Sequence, residues 1–428
     1  MRGRTRRVLA TVLASLAPVI AVVAAPTVAG VAQLATSTPP PTPVPLPNGR
    51  TTLSPFPSVL HTPAPSRRPP EITAPSAILA DLDSGQVLFE RAADEARPIA
   101  SLTKIMTALL VMERAQPQDL VTVSARAAGH GPTPGISELG LTEGERITVG
   151  SLLYALLLQS ANDAAVALAE HVSGSVESFV ATMNARARRL GARHTRFSSP
   201  SGLDDAGVST ARDLVRITRA AYRLPGFASI VATRTKEIPA PEGLPPRVVQ
   251  NRNALLWLYP GAIGVKTGFT SRAGYCVVAA AERGGVRLVA VVLGAPRDAF
   301  SDAAALLEHG FAAFERREVI AAGEPLGTID ISGREVPVAS GASLVALVRR
   351  GVEISPQIDV DDVAFPPRAG EAIGTVTFSV PGLRIGRVPL VVASVPAPPA
   401  PRAPGPWWTR AAASLLRAAS GVLRALIG

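Results

Sequence analysis

The sequence predicts an α/β (α+β) fold: one antiparallel sheet between helical layers, then a small all-β domain and a terminal amphipathic helix. Three observations carry that expectation. Across 71–315, two hairpin patterns bracket a run of helical ones. After Arg317 the chain changes to short β-rich segments broken by Gly, Pro and Asp. Two proline-rich joints set off the ends from this body. With 428 residues the chain is long enough for two or three domains and a full hydrophobic core.

The elements follow in order. Ala77–Asp81 and Gln86–Arg91 flank Leu82-Asp83-Ser84-Gly85, a hairpin turn. Ser101 to Ala115 is helical and apolar nearly all round, which predicts a buried helix. Val149 to Leu158 and Asp163 to Val172 are helical, interrupted by Gln159-Ser160-Ala161-Asn162. A helix from Ser175 to Leu190 stops at Gly191, and Ser209 caps another that reaches Tyr222. Tyr275–Ala281 and Val286–Leu293 are strands joined by Glu282-Arg283-Gly284-Gly285, and Ala299 to Arg316 is an amphipathic helix. In the β-rich part the strands are Gly327–Ile331, Glu335–Val338, Gly374–Val380 and Arg387–Val392.

Charge locates the rest. The formal balance is +10, yet residues 1–70 hold seven arginines and no acid, and 395–428 hold four more, again with no acid. That leaves 71–394 at −1, so the body has no basic surplus for nucleic acid, and the basic ends point to a membrane. Arg2, Arg4, Arg6 and Arg7 precede an apolar run from Val8 to Ala25, the pattern of a secretory signal peptide (1–35). Eighteen residues is about the lower limit for a span, so a retained signal anchor is the alternative. Residues 36–70 read as a Pro-rich linker, 71–316 as the main α/β domain, 317–394 as the β domain and 395–406 as a second linker. In 407–428, Arg410, Arg417 and Arg424 recur every seven residues, drifting only about 40° around a helix. Leu415, Leu416, Val422, Leu423, Leu426 and Ile427 occupy the opposite arc. Such a helix lies in the plane of an anionic membrane surface rather than crossing it. The expected location is outside the cell, on the outer face of the cytoplasmic membrane or in the cell wall space.

One cysteine, Cys276, excludes an internal disulfide and any multi-cysteine zinc site. Five scattered histidines with no paired motif argue against a metal centre, and no cofactor is expected. Cys276 itself reads as a small buried strand residue.

The chemistry shows first as a shortage. Only three of the 43 basic residues are lysines: Lys104, Lys236 and Lys266. A chain so biased to arginine is expected to keep lysine where guanidinium cannot serve, because only an amine deprotonates at moderate cost. Two of the three sit in Ser101-Leu102-Thr103-Lys104 and Lys266-Thr267-Gly268, with Ser160-Ala161-Asn162 between them. Ser101 and Lys104, three apart on a helix, share a face, so hydroxyl and amine can meet as nucleophile and base. Taken singly, each motif is unremarkable: a capped helix with a solvated lysine, a turn, an exposed strand end. Lys266 and Thr267 can hold a carboxylate, and Gly268 removes a side chain where a ligand backbone would approach.

Together, in this order, the three motifs resemble the set shared by penicillin-binding proteins and class A β-lactamases. More of the chain resembles the D-alanyl-D-alanine carboxypeptidases, the low-molecular-mass penicillin-binding proteins. The similar segments are Pro98 through Thr107, Phe197 through Leu203, Ser209 through Leu214, Asn251-Arg252-Asn253 and Ala273-Gly274-Tyr275-Cys276. The likeness is strong over 75–315 and weaker over 317–394. It implies a serine β-lactamase/penicillin-binding-protein-like transpeptidase domain that removes the terminal D-Ala from peptidoglycan stem pentapeptides and is acylated by β-lactams. It implies Ser101 as nucleophile, Lys104 as base, Ser160 as proton relay, and Asn162 orienting Lys104 and the substrate amide. Lys266, with Thr267 and Gly268, would bind substrate, its charge helping keep Lys104 neutral. The amides of Ser101 and Phe269 would form the oxyanion hole. A class A β-lactamase would need a deacylating glutamate on the loop between the second and third motifs, and no Glu-x-x-Leu-Asn occurs there. The same residues would also serve an endopeptidase that cleaves peptide cross-links, or an inactive regulator that binds peptidoglycan.

Overall fold

A computed structural model describes residues 66–129, 136–364, 366–380, 383–394, 411–412 and 414–417. The expected signal peptide, most of the 36–70 linker, the 395–406 linker and most of the terminal helix lie outside the described residues.

The body is organised on a five-stranded sheet of β1 (Ser76–Asp81), β2 (Val87–Arg91), β3 (Ala262–Thr270), β4 (Gly274–Arg283) and β5 (Val286–Ala295). The spatial order is β2-β1-β5-β4-β3, antiparallel throughout. The first hairpin turns where expected: Asp81 N–H donates to Gln86 O at 2.9 Å, and Gly85 takes the φ of +79° that the tight turn demands. Burial on both faces explains the nearly unbroken apolar strands, since alternate residues enter different cores. Ile78, Ala80, Val278, Ala280, Val289 and Val291 face one core. Ala77, Leu79, Val277, Ala279, Leu288 and Ala290 face the other.

The first core takes most of the helices: α1 (Lys104–Arg114), α2 (Val149–Tyr154), α3 (Asn162–Ser173), α4 (Val176–Arg189) and α5 (Ala211–Tyr222). The second is covered by α6 (Ala299–Ala313). The sheet therefore lies between helical layers. In α1, every residue from Lys104 to Val111 is buried, as an all-round apolar helix requires.

Several boundaries differ from expectation, each for a local reason. Ser101 lies in a 3-10 turn, Ala100–Thr103, and the α-helix begins only at Lys104. The 149–158 helix converts at Ala155 into a π turn that ends with Ser160 left-handed at φ +70°. Thr210, not Ser209, caps α5, its side chain accepting from Asp213 N–H, because Ser209 pairs with Arg97 in a two-residue strand. Helix α6 stops at Ala313, where Phe314 turns extended into a strand, Phe314–Ile320. Lys266-Thr267-Gly268, taken singly an exposed strand end, falls late within β3 with Lys266 buried.

The chain separates into two compact units, one running to Arg316 and including 347–352, the other holding 317–346 and the residues from Glu353 onward. The second contains a five-stranded antiparallel sheet of β6 (Pro325–Ile331), β7 (Arg334–Ser340), β8 (Ser355–Val360), β9 (Ala372–Val380) and β10 (Leu383–Val392). Its order is β6-β7-β10-β9-β8, over a core that includes Val336, Val338, Val376 and Leu390. β8 is absent from the expected strands because its exposed polar residues mask the alternation.

Candidate active site

The 3-10 turn before α1 presents Ser101 half-exposed while sending Lys104, one turn on, into the core. Lys104 Nζ donates to Ser101 Oγ at 2.9 Å, to Asn162 Oδ1 at 2.7 Å and to the Ser201 carbonyl at 2.8 Å. Those three bonds use the full donor capacity of an ammonium group. Full burial pushes the amine down to about 7, positive Arg252 adds to the shift, and Asp163 opposes it. Lys104 is thus poised between acid and base near neutral pH.

Asn162 is placed by the break between the two helices. Its backbone N–H donates to Ser137 O at 2.8 Å as α3 starts, and the side chain turns toward Lys104. Ser160 is buried in the same break and is not among the three partners of Lys104.

The segment Phe197 through Leu203 braces the lysine from the other side. Thr107 Oγ1 donates to Pro200 O at 2.6 Å, which fixes the neighbouring Ser201 carbonyl against Lys104. Gly202 sits at φ +75°, and a Cβ built there would lie 2.0 Å from Ala100 O and 2.5 Å from Thr103 Oγ1. The turn bearing Ser101 is strained as well, since Ala100 has φ +46°.

β3 runs along the open side. A Cβ on Gly268 would approach Ile99 O to 3.0 Å and Ser101 N to 3.1 Å, so glycine is what lets the strand lie against the serine turn. Thr267 is half-buried beside it, and Phe269, 55 % exposed, stacks on Tyr275 across the register with ring centroids 4.5 Å apart. Thr270 Oγ1 donates to Asp205 Oδ1 at 2.5 Å, tying the strand end to the loop after Gly202.

Lys266 lies within β3. It is buried, its Nζ donating to Thr267 O at 2.9 Å, and burial, with Lys104 and Arg252 assisting, holds it well below the ordinary lysine range. For Lys104 itself, burial is the larger cause of the lowering and Arg252 the next. Sequence reasoning gives roles to neither Arg252 nor the Ser201 carbonyl, although both fall in segments singled out for their resemblance. Cys276 is buried, and burial pushes its thiol up to about 11, so it is an inert packing residue.

The Arg252 contribution has a measurable sign. In the base role expected of it, Lys104 must be neutral to accept a proton, so kcat/KM is expected to rise with pH through about 7. Arg252→Gln removes a charge that disfavours protonated Lys104, and the acidic limb of the pH–rate profile should move toward higher pH. An unmoved or acid-shifted limb would contradict the electrostatic role.

A serine hydroxyl bonded to a buried, near-neutral amine on this layered frame defines the class: a serine-type acyl-transferring hydrolase with the penicillin-binding-protein and serine β-lactamase fold. Residues 63–297 match the D-alanyl-D-alanine carboxypeptidase family. D-alanyl-D-alanine carboxypeptidase DacC of Escherichia coli (strain K12) is 36% identical over 342 residues, covering 76% of this chain and 84% of that protein. DacB2 of Mycobacterium tuberculosis is 41% identical over 251 residues, 57% of this chain and 84% of its own. Penicillin binding protein 5 from Haemophilus influenzae superposes with a TM-score of 0.64 at 31% identity, over 77% of this chain and 98% of that one. The chain belongs to the D-alanyl-D-alanine carboxypeptidase family and is a serine carboxypeptidase.

Proposed function

We propose that Ser101 is the residue acylated when this carboxypeptidase removes the terminal D-Ala from a peptidoglycan stem pentapeptide, and that β-lactams stop it there. Neutral Lys104 takes the Ser101 proton as Oγ bonds to the carbonyl carbon of the penultimate D-Ala. The tetrahedral oxyanion is held by the Ser101 and Phe269 amides. The C–N bond then breaks, and Ser160 relays the proton to the departing D-Ala amine while Asn162 keeps Lys104 and the substrate amide oriented. Water hydrolyses the ester and restores Ser101. Lys266 and Thr267 take the terminal carboxylate beside Gly268; a buried lysine with a lowered pKa gains its proton most readily when that anion arrives.

The observation that supports this best is the 2.9 Å contact between Ser101 and a fully buried lysine that also holds Asn162. The test is the adduct: after penicillin treatment, mass spectrometry should find the acyl group on the peptide containing Ser101, and Ser101→Ala should release no D-Ala from a pentapeptide stem. An adduct elsewhere, or full hydrolysis by the variant, would sink the assignment.

The wider layout is part of the same proposal: a leader in 1–35, a linker in 36–70, the catalytic domain 71–316, the β domain 317–394, a linker 395–406, and the helix 407–428 resting on anionic lipid. Enzymes of this family act on the cell wall, and this arrangement would hold the site on the outer face of the cytoplasmic membrane. Leu415 and Leu416, 71% and 72% exposed, support the lipid reading. No helix among the described residues is long and apolar enough to cross a membrane. Leader-free protein truncated after Val395 should leave liposomes and keep its D-Ala release. Equal flotation of truncated and full-length protein would place the anchor elsewhere.

A further inference from the structure

At its far end, α1 meets a second concentration of charge. Helix α4 and the loop after it carry Arg186, Arg188, Arg189, Arg193 and Arg196, with no acidic residue between Glu177 and Asp204. This is anomalous on a body whose net charge over 71–394 is −1. Arg186 is neutralised by Glu113, at 2.5 Å. The others nearby are not. Arg114, at the end of α1, and Arg188 and Arg189, at the end of α4, converge with Thr182 and Ala185 on an open cavity of about 440 Å³. Among the described residues, none of these three guanidinium groups has an ion-pair or hydrogen-bond partner.

Three exposed arginines lining one concavity, none with an ion-pair partner, concentrate positive potential there and favour a bound anion. Guanidinium presents paired N–H donors whose spacing matches phosphate oxygens, which a scatter of lysines would not. Thr182 already donates its hydroxyl to Ser178 O, so donors to a ligand come from the arginines. Ala185 adds a small apolar patch to the lining. The depression is open to solvent and wider than a bare oxyanion fills. We propose that Arg114, Arg188 and Arg189 form a binding site for a phosphate ester, an oxyanion carried on a small organic group. The site lies about 15 Å along α1 from Lys104, so it is separate from the acylation chemistry.

Calorimetric titration of the full-length protein with glycerol 3-phosphate tests this, with inorganic phosphate as the bare-anion arm and phosphatidylglycerol vesicles as the lipid arm. The expected result is saturable, salt-sensitive binding of glycerol 3-phosphate, tighter than that of inorganic phosphate. The triple substitution Arg114→Gln, Arg188→Gln, Arg189→Gln should weaken it at least tenfold. Arg146→Gln, an exposed arginine on another element, should leave it unchanged. Melting temperature and D-Ala release should be the same in all variants. Absence of glycerol 3-phosphate binding, or equal binding by the triple variant, would overturn the proposal. So would loss of vesicle binding alone in the triple variant, which would make the patch a membrane face.

Discussion

Lys104→Arg is expected to lower the rate of acylation by labelled penicillin on the order of 10³-fold, and D-Ala release with it. The cause is protonation. The lysine slot holds its amine near neutrality by burial, and a guanidinium stays charged in any protein environment. The larger planar group must also fit a fully buried slot and stay charged there against the positive Arg252, so a loss of stability will accompany the loss of activity. Lys104→Met separates the two effects. It keeps a linear chain of similar length, buries no charge and gives up three hydrogen bonds. It should melt closer to the native protein and still fail to acylate. Acylation within tenfold of the unmodified enzyme in either variant would remove Lys104 from the role of base.

Gly202→Ala is expected to be nearly as damaging although no side chain is lost. The new methyl would lie 2.0 Å from the Ala100 carbonyl, a backbone atom in the turn that carries Ser101. Relief requires either the serine turn or the 197–203 segment to move, and the Ser201 carbonyl would then leave Lys104. A cost of at least about 2 kcal/mol is expected from left-handed strain and steric overlap together. Gly174→Ala is the matching control. It has the same φ of +75°, with nothing within 4 Å of the added carbon. That variant should lose about 1 kcal/mol and acylate normally. Equal penicillin acylation by the two variants would mean that the 197–203 segment does not hold the site together.

Much of this site is legible without coordinates because the chemistry selects rare residues. Three lysines among 43 basic side chains point at Lys104 and Lys266, and the spacing of Ser101 to Lys104 suggests their meeting. The sheet is legible for a different reason: strands buried on both faces leave long apolar runs such as Val277–Ala281 and Leu288–Leu293. What stays hidden depends on backbone geometry. A carbonyl such as that of Ser201 has no residue-type signature, and Arg252 is one of forty arginines. The start of β3 is invisible because Gly261 and Gly264 interrupt its pattern. The late cap at Thr210 cannot be told from Ser209 by composition, since either hydroxyl serves.

The same scarcity of lysine governs how the protein reacts with amine-directed reagents. Lys104 and Lys266 are 0% and 1% exposed, whereas Lys236 is exposed on a short strand, Thr235–Ile238, paired with Arg247–Gln250, its Nζ 5.2 Å above the Tyr154 ring. A fluorophore ester offered to the folded chain therefore has one side chain to modify, besides the α-amino group. Among side chains the conjugation is single-sited without engineering, and that tag sits away from the buried lysine slot. Unfolding exposes two more amines, so dye stoichiometry becomes a count of how many molecules have lost their core.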